Sequence, residues 1–110
     1  MKYINYELYG KQYELYVELN KYYNGNLAIH LMEKYGEPFA SLTVNLTELN
    51  DNTLAYIDEN NFEDAEELIK KYKLGTFTGE YYTSGYCIYS LFKFDLNKLK
   101  EYTLQAKEGE

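Results

Sequence analysis

The side chains that could support catalysis or metal binding are few and lie far apart in the sequence. The chain has a single histidine, His30, and a single cysteine, Cys87. A zinc site needs three or four nitrogen, sulfur or oxygen ligands, and a cysteine nucleophile needs a nearby base. We therefore expect no metal site, no cofactor and no covalent catalysis. His30 is expected on the face of a strand, and Cys87 is expected to pack within one.

One pair of carboxylates, Glu14 and Glu18, falls on the same face of a predicted strand, where an acid and a base could cooperate. The pair is not directly adjacent, so solvation is the simpler interpretation, and the chain is not expected to be an enzyme. An enzyme built on this pair stays an alternative. A Glu14→Gln, Glu18→Gln double substitution with full activity would remove it.

Phosphate and nucleic-acid chemistry are also poorly supported by the sequence. It contains neither a Walker A loop nor a G-x-G-x-x-G motif. All eleven basic residues are lysine, so arginine, the residue best suited to bidentate phosphate binding, is absent. The sequence pI of about 4.7 disfavours direct binding of nucleic acid.

The acidic residues are the feature with the sharpest functional interpretation. Between Lys34 and Lys70 the chain has nine acids and no basic residue, a formal charge of −9, whereas the whole chain carries −7. Crowding of one sign costs folding energy through self-repulsion, so such a segment suits either solubility or a basic partner. The acids are Glu37, Glu48, Asp51, Asp58, Glu59, Glu63, Asp64, Glu66 and Glu67.

Two interpretations of this segment remain open. Carboxylates along a loop and a helix can imitate phosphates and occupy a basic nucleic-acid channel, with electrostatic steering of association. Alternatively, acids simply favour the first turns of a helix, where they complement its dipole. For the first interpretation the candidate partner-binding acids are Asp58, Glu59, Glu63, Asp64, Glu66 and Glu67.

The tyrosines form a second candidate interaction surface. The chain has fifteen of them. Tyrosine is enriched at interface hot spots, because it offers contact area with few torsions to freeze. Tyr3, Tyr9 and Tyr16 are expected on the solvent side of the first two strands. The candidate partner-binding tyrosines are Tyr22, Tyr23, Tyr81 and Tyr82.

Length and hydropathy indicate a single domain. We expect residues 1–104 to form one α+β domain and residues 105–110 to form a disordered tail. The N-terminus has no apolar signal-peptide core, and no apolar run approaches the length of a membrane span. A soluble, cytoplasmic protein is therefore expected.

The N-terminal half predicts an antiparallel β-meander of four strands. Apolar and polar residues alternate over 4–8, 13–19, 27–31 and 40–46, which is typical of half-buried strands. Asn24-Gly25 predicts a tight hairpin turn between the second and third strands. One apolar face of this sheet then needs a cover.

A central helix is expected to supply that cover. Asn61 is a suitable N-cap with Asp64 three residues later, and apolar residues over 62–72 follow helical spacing. Acids fill the first turns and lysines the last, and Gly75 is a natural stop.

The remaining elements are shorter. Residues 54–57 form either a short strand or a loop. Two further strands are expected over 76–82 and 86–94, joined by a turn at Ser84-Gly85. Asp95 could cap a short closing helix that ends near Tyr102.

Two segments carry a resemblance to a known group of proteins. The segment Asn24-Gly25-Asn26-Leu27-Ala28-Ile29-His30-Leu31 is followed by Gly36-Glu37-Pro38-Phe39-Ala40-Ser41-Leu42-Thr43-Val44-Asn45-Leu46. Together they resemble a small family of uncharacterised proteins carried on conjugative and phage elements of Firmicutes and related anaerobes. Those proteins share the pattern NGxLAIxL…GEPFAxxTVNL and a Thr-Gly…Ser-Gly-aromatic segment, present here as Thr78-Gly79 and Ser84-Gly85-Tyr86. The resemblance implies cargo of mobile DNA in the cytoplasm of a bacterial host cell, and it lends no catalytic residues.

Context and charge together lead to the expected function. The chain is expected to be a small acidic interaction protein that inhibits a nucleic-acid-targeting defence complex of the host, CRISPR-associated or restriction. The alternative is a non-enzymatic accessory or regulator of a mobile element that binds an element-encoded partner. In both cases the partner is a protein, with no direct contact to nucleic acid or membrane, and the oligomeric state is left open.

Overall fold

The computed structural model describes residues 2–104, and within that range it contains eight strands and two short helices. Residues 105–110, for which the sequence predicts disorder, lie outside the described residues. In chain order the elements are β1 (Ile4–Leu8), β2 (Lys11–Lys21), β3 (Leu27–Glu33), β4 (Pro38–Ser41), β5 (Thr43–Val44), β6 (Leu54–Ile57), α1 (Ala65–Lys71), β7 (Gly75–Ser84), β8 (Cys87–Phe94) and α2 (Leu96–Lys100).

The first sheet is the predicted antiparallel meander, with strand order β1-β2-β3-β4. Leu15 pairs with Ile4 and Val17 pairs with Leu31, so the alternating apolar residues of neighbouring strands share one face. All four side chains are almost fully buried. Gly25 takes a φ of 91° in the turn between β2 and β3, as the Asn-Gly signal predicts.

The prediction of one continuous fourth strand over 40–46 is wrong. The strand is interrupted at Leu42, so β4 belongs to the first sheet and β5 to the second. The Leu42 N–H donates to the Ile29 carbonyl at 2.9 Å, while its carbonyl accepts from the Asp58 N–H at 2.9 Å. Leu42 is fully buried. Its backbone therefore joins the two sheets, and alternation of apolar residues cannot distinguish such a crossing from a single strand.

The second sheet has the order β5-β6-β8-β7 and is antiparallel throughout. Residues 54–57, left open between strand and loop, form the inner strand β6. The two late strands are confirmed: β7 is longer than the predicted 76–82, and β8 begins one residue later than the predicted 86–94. The ladder between β7 and β8 shifts register between Phe77 and Tyr81, where Gly79 has a φ of 92°.

Helix α1 begins three residues later than the sequence predicts. Asn61 does not cap it, because its side-chain amide donates to the Asp58 carboxylate at 2.9 Å. Residues 58–62 form a turn, in which the Phe62 N–H donates to the Asp58 carbonyl at 2.9 Å. The helix follows from Asp64, whose side chain makes no capping hydrogen bond.

The closing helix α2 begins as predicted, and the residues that follow it leave the helix. As predicted, the Asp95 side chain caps α2, accepting from the Lys98 N–H at 3.1 Å. The helix ends at Lys100, and the next residues run beside β2, where the Val17 N–H donates to the Tyr102 carbonyl at 2.8 Å. Thr103 forms a parallel bridge with Val17. Residues 102 and 103 thus extend the edge of the first sheet.

One apolar core joins both sheets and both helices, which confirms the α+β class with a central helix packed on the strands. Ala65, Leu68 and Ile69 of α1 belong to this core, as does Leu99 of α2. Tyr16 is an error of the sequence analysis: expected in solvent, it is only 6% exposed.

Candidate functional site

The predicted acidic residues lie in the loop after β6 and along α1. Asp58 differs from the rest, because it is only 6% exposed. Its carboxylate accepts hydrogen bonds from the side-chain amide of Asn61 at 2.9 Å and from the backbone of Asn61 at 3.4 Å. A buried carboxylate needs such partners. Asp58 therefore holds the turn that leads into α1.

Glu59 and Glu66 come together on one side of the helix. The Glu66 carboxylate forms an ion pair with Lys70 at 2.7 Å, one turn further along α1. Burial, followed by the charge of Glu66, raises the pKa of Glu59. Glu66 thus has a basic partner, while Glu59 sits in a position that disfavours its charged form.

Asp64 and Glu67 lie on another side of the helix, facing β1. The Tyr6 hydroxyl donates to the Asp64 carboxylate at 2.6 Å. Burial, followed by this hydrogen bond, raises the pKa of Tyr6. Between β1 and α1 lies an open groove of about 630 Å³, lined by both carboxylates and by lysines of the last helical turn. The groove is lined by Asn5, Tyr6, Glu7, Asp64, Glu67, Leu68, Lys70, Lys71 and Tyr72.

Glu63 and Glu67 are the most exposed of the predicted acids. Neither forms an ion pair within 4 Å in the part of the chain that the structure describes. We use the name acidic surface for these two residues together with Glu59 and Glu66, which lie on a different side of α1; it is defined as Glu59, Glu63, Glu66 and Glu67. It carries four carboxylates, one of which is paired with a lysine.

The other acids of the lysine-free segment are dispersed over the molecule. Glu37 lies in the turn before β4, and Glu48 lies in the loop after β5. Asp51 accepts from the Thr53 hydroxyl at 2.6 Å and forms an ion pair with Lys93 at 3.4 Å. The Thr53 hydrogen bonds, followed by Lys93, lower the pKa of Asp51. The nine acids therefore do not form one continuous patch.

The four predicted tyrosines divide into two exposed and two partly buried side chains. Tyr23 is 96% exposed at the tip of the hairpin between β2 and β3, and Tyr81 is 61% exposed on β7. The Tyr22 hydroxyl instead donates to the Thr43 carbonyl at 3.1 Å. The Tyr82 ring packs on Tyr56 with a centroid distance of 5.5 Å. Tyr22 and Tyr82 therefore have structural contacts of their own.

Three further tyrosines are nearly fully exposed, and one of them, Tyr9, was expected in solvent. Tyr9, Tyr35 and Tyr86 each lie in a hairpin turn, next to a glycine of positive φ. The signal was present in the sequence as three Tyr-Gly or Gly-Tyr pairs. Glycine marks the tight turn, and the neighbouring side chain at a turn tip has little structure around it.

The residues considered for catalysis do not assemble into a catalytic arrangement. Glu14 forms an ion pair with Lys34 at 3.0 Å, while Glu18 pairs across the strands with His30. Cys87 is a free, partly buried thiol on β8. Among residues 2–104 there is no group of three or more His, Cys, Asp or Glu side chains positioned to hold a metal ion.

The comparisons with known proteins place the chain without assigning it an activity. Residues 16–108 match the family model described as "Domain of unknown function (DUF4313)". No curated protein and no solved structure matches the chain. Within the described residues, none of the helices has the length and apolar character needed to cross a membrane.

Proposed function

Because the chain belongs to the DUF4313 family of unknown function, we propose a function from its own surface: it binds and inhibits a nucleic-acid-targeting defence complex of the host cell, in the manner of an anti-CRISPR protein. The observation that carries the proposal is the acidic surface on and before α1. A protein that blocks a nucleic-acid channel needs negative charge at positions a basic partner can reach.

Two charges of the acidic surface are available to a partner. Glu63, in the turn before α1, and Glu67, within α1, are both exposed to solvent, and neither forms an ion pair among residues 2–104. These carboxylates can therefore meet lysines and arginines that would otherwise contact phosphates.

The lysines at the end of α1 limit the size of this negative region. Lys70 neutralises part of the charge of Glu66, and Lys71 lines the groove beside Glu67. A partner would consequently meet a compact acidic region bordered by lysine, which restricts the orientations in which it can bind.

The exposed tyrosines supply contact area that charge alone does not give. Tyr23 and Tyr81 are the two candidates that remain largely in solvent. In this proposal charge sets the rate and orientation of encounter, while aromatic contacts lengthen the lifetime of the complex. The mobile-element context implied by the sequence resemblance agrees with a target in host defence.

The proposal is tested by removing the charge without changing the size of the side chains. A quadruple variant carries glutamine in place of the four acids of the acidic surface, Glu59, Glu63, Glu66 and Glu67. Wild type and variant are expressed in bacteria that carry one of a panel of CRISPR or restriction systems, and the plating efficiency of a targeted phage is measured. Wild type should raise plating efficiency at least about tenfold against one system, and the variant should lose that effect, as expected for loss of about 1.4 kcal/mol or more of binding.

The matched control removes the same number of charges elsewhere. It carries glutamine in place of Glu18, Glu33, Glu37 and Glu80. This control should inhibit like wild type. Equal loss of inhibition in both variants would show that inhibition depends on net charge alone, and it would reject the acidic surface as the binding site. If wild type raises the plating efficiency of the phage against none of the systems, the inhibitor function is rejected. The alternative function, an accessory protein of a mobile element, is then favoured.

A further inference from the structure

The backbone edge of β7 is a feature that the proposed function leaves unused, although that function uses the Tyr81 side chain of the same strand. β7 is ten residues long and lies at the edge of the second sheet, and among residues 2–104 it pairs only with β8. A free strand edge presents unpaired N–H and C=O groups, and proteins usually protect such edges. We propose that the edge of β7 pairs with the same edge of a second copy of this chain, forming a two-fold symmetric dimer.

The other sheet edges of the described residues are protected or short. At the edge of β1, the Tyr72 hydroxyl accepts from the Asn5 N–H at 2.9 Å and donates to the Asn5 carbonyl at 3.1 Å. β4 spans four residues and begins at Pro38, and β5 spans only two residues. β7 has neither proline nor lysine. It is therefore the edge best suited to accept another strand.

The turn at the end of β7 indicates which backbone groups point outward. Gly85 and Tyr86 form a two-residue turn, flanked by the pair Ser84 and Cys87. Such a turn is closed by a hydrogen-bonded pair, and bonded and non-bonded pairs then alternate along the ladder. Thr83 and Tyr81 are consequently the residues whose N–H and C=O groups face away from β8. The irregularity at Gly79 ends this segment.

Charge favours a second copy as the occupant of this edge. The chain carries a net charge of −7, so most surfaces of two copies would bring acids together. Residues 74–92, which contain β7 and most of β8, have a single charged residue, Glu80. The same hairpin exposes Tyr81 at 61% and Ile88 at 63%. Depletion of charge and enrichment of aromatic residues are typical of the centre of an interface.

A symmetric register also keeps the like charges apart. Tyr81 lies opposite Thr83 of the partner subunit, and each such pair exchanges two backbone hydrogen bonds. Glu80 then lies opposite Ser84 of the partner subunit rather than opposite a second Glu80. This pairing joins the β7 strands of the two copies, and the acidic surface of each copy takes no part in the contact.

The test measures the mass of the full-length chain by sedimentation equilibrium between about 1 µM and about 1 mM, a range that spans the affinities of small interfaces. Wild type should approach twice the chain mass of 13.1 kDa as its concentration rises. Thr83→Pro removes an outward N–H while sparing the ladder to β8, and it should weaken the dimer about tenfold or more because one interchain hydrogen bond is lost from each copy. Thr83→Val, which keeps the N–H, is the matched control and should dimerise like wild type.

A second variant protects the test against misfolding. Tyr81→Glu adds a charge beside Glu80 at an exposed position, so it should fold and should weaken the dimer by repulsion. Circular dichroism checks that each variant is folded. A wild-type chain that stays monomeric throughout, or a dimer that survives in both folded Tyr81→Glu and folded Thr83→Pro, would overturn the proposal. If Thr83→Pro does not fold, the mass of Tyr81→Glu decides it. Thr83→Pro and Thr83→Val alter no residue that the proposed function uses, so their masses report on the dimer separately from inhibition.

Discussion

At the scale of single residues, the Tyr6 hydroxyl connects β1 to the start of α1 by a hydrogen bond. It donates to the Asp64 carboxylate at 2.6 Å, and the Tyr6 ring packs edge-on against Phe62 with a centroid distance of 5.4 Å. We expect Tyr6→Phe to lower the free energy of unfolding by about 1–2 kcal/mol, because a partly buried hydrogen bond to a charged group is lost while the ring is kept. Urea unfolding measures the change. Tyr9→Phe, on a fully exposed ring, should change stability by less than about 0.5 kcal/mol, and equal effects in both variants would contradict the assignment.

The protonation of Glu59 gives a second prediction at this scale. Burial, followed by Glu66, raises the pKa of Glu59 in the folded state. An acid whose folded pKa lies above its unfolded value destabilises the fold once it is ionised, so stability is lost as the pH rises through that folded pKa. We expect Glu59→Gln to be more stable than wild type at neutral pH and to lose this advantage below about pH 4, where glutamate is protonated in both states.

Urea unfolding of Glu59→Gln and wild type across that pH range tests the prediction. The matched control is Glu63→Gln, in the exposed part of the same segment, which should show a smaller pH-dependent difference. A Glu59→Gln variant less stable than wild type at neutral pH would show that the carboxylate stabilises the fold rather than straining it.

The exposure of single side chains was predictable where the type of residue and its place in a local element decide it. Glu63, Glu67 and Tyr23 lie in solvent, as their places in a helix start and a hairpin turn indicate. The burial of Asp58 was not predictable. Its carboxylate accepts a hydrogen bond from the Asn61 side chain, which the sequence had predicted to cap α1. Tyr82 was equally hidden, since its contact with Tyr56 depends on a sheet order that the sequence did not reveal.

At the scale of elements, the junction between α1 and β7 depends on a close approach of two strands. A Cβ atom at Gly75 would lie 2.9 Å from the Lys93 carbonyl oxygen and 3.0 Å from the Phe94 ring. We expect Gly75→Ala to cost about 1–3 kcal/mol, because the backbone of β8 must shift to admit the methyl group. Chemical denaturation checks this value. Ser84→Ala, on an exposed side chain of the same strand, should be near neutral, and a neutral Gly75→Ala would show that the junction adapts without cost.

Elements were predictable where local signals were strong. The hairpin between β2 and β3 and the capped helix α2 follow from Asn24-Gly25 and Asp95, and both form as predicted. The break at Leu42 did not follow, because its cause is a pair of hydrogen bonds to Ile29 and Asp58, which are distant in the sequence. The late start of α1 has a local cause, because the Asn61 side chain donates to Asp58 three residues earlier instead of capping the helix.

At the scale of the whole molecule, the acidic surface and the free strand edge belong to different elements. The acidic surface lies on and before α1, whereas the charge-poor β7–β8 hairpin forms one edge of the second sheet. In the two proposals the acidic surface attracts a basic partner over distance, while the edge of β7 pairs with a second copy.

The central claim, that the acidic surface binds a basic nucleic-acid-handling protein, is tested most directly by capture at two salt concentrations. The tagged chain and its quadruple glutamine variant are used as baits in nuclease-treated lysate of a bacterium that carries the gene. Salt is set at about 0.1 M and about 1 M, which shortens the screening length from about 10 Å to about 3 Å. We predict that a CRISPR or restriction subunit is enriched on wild type at low salt and is lost both at high salt and on the variant. Enrichment of such a subunit that survives high salt and the loss of all four acids would contradict the claim, as would recovery of element-encoded proteins alone.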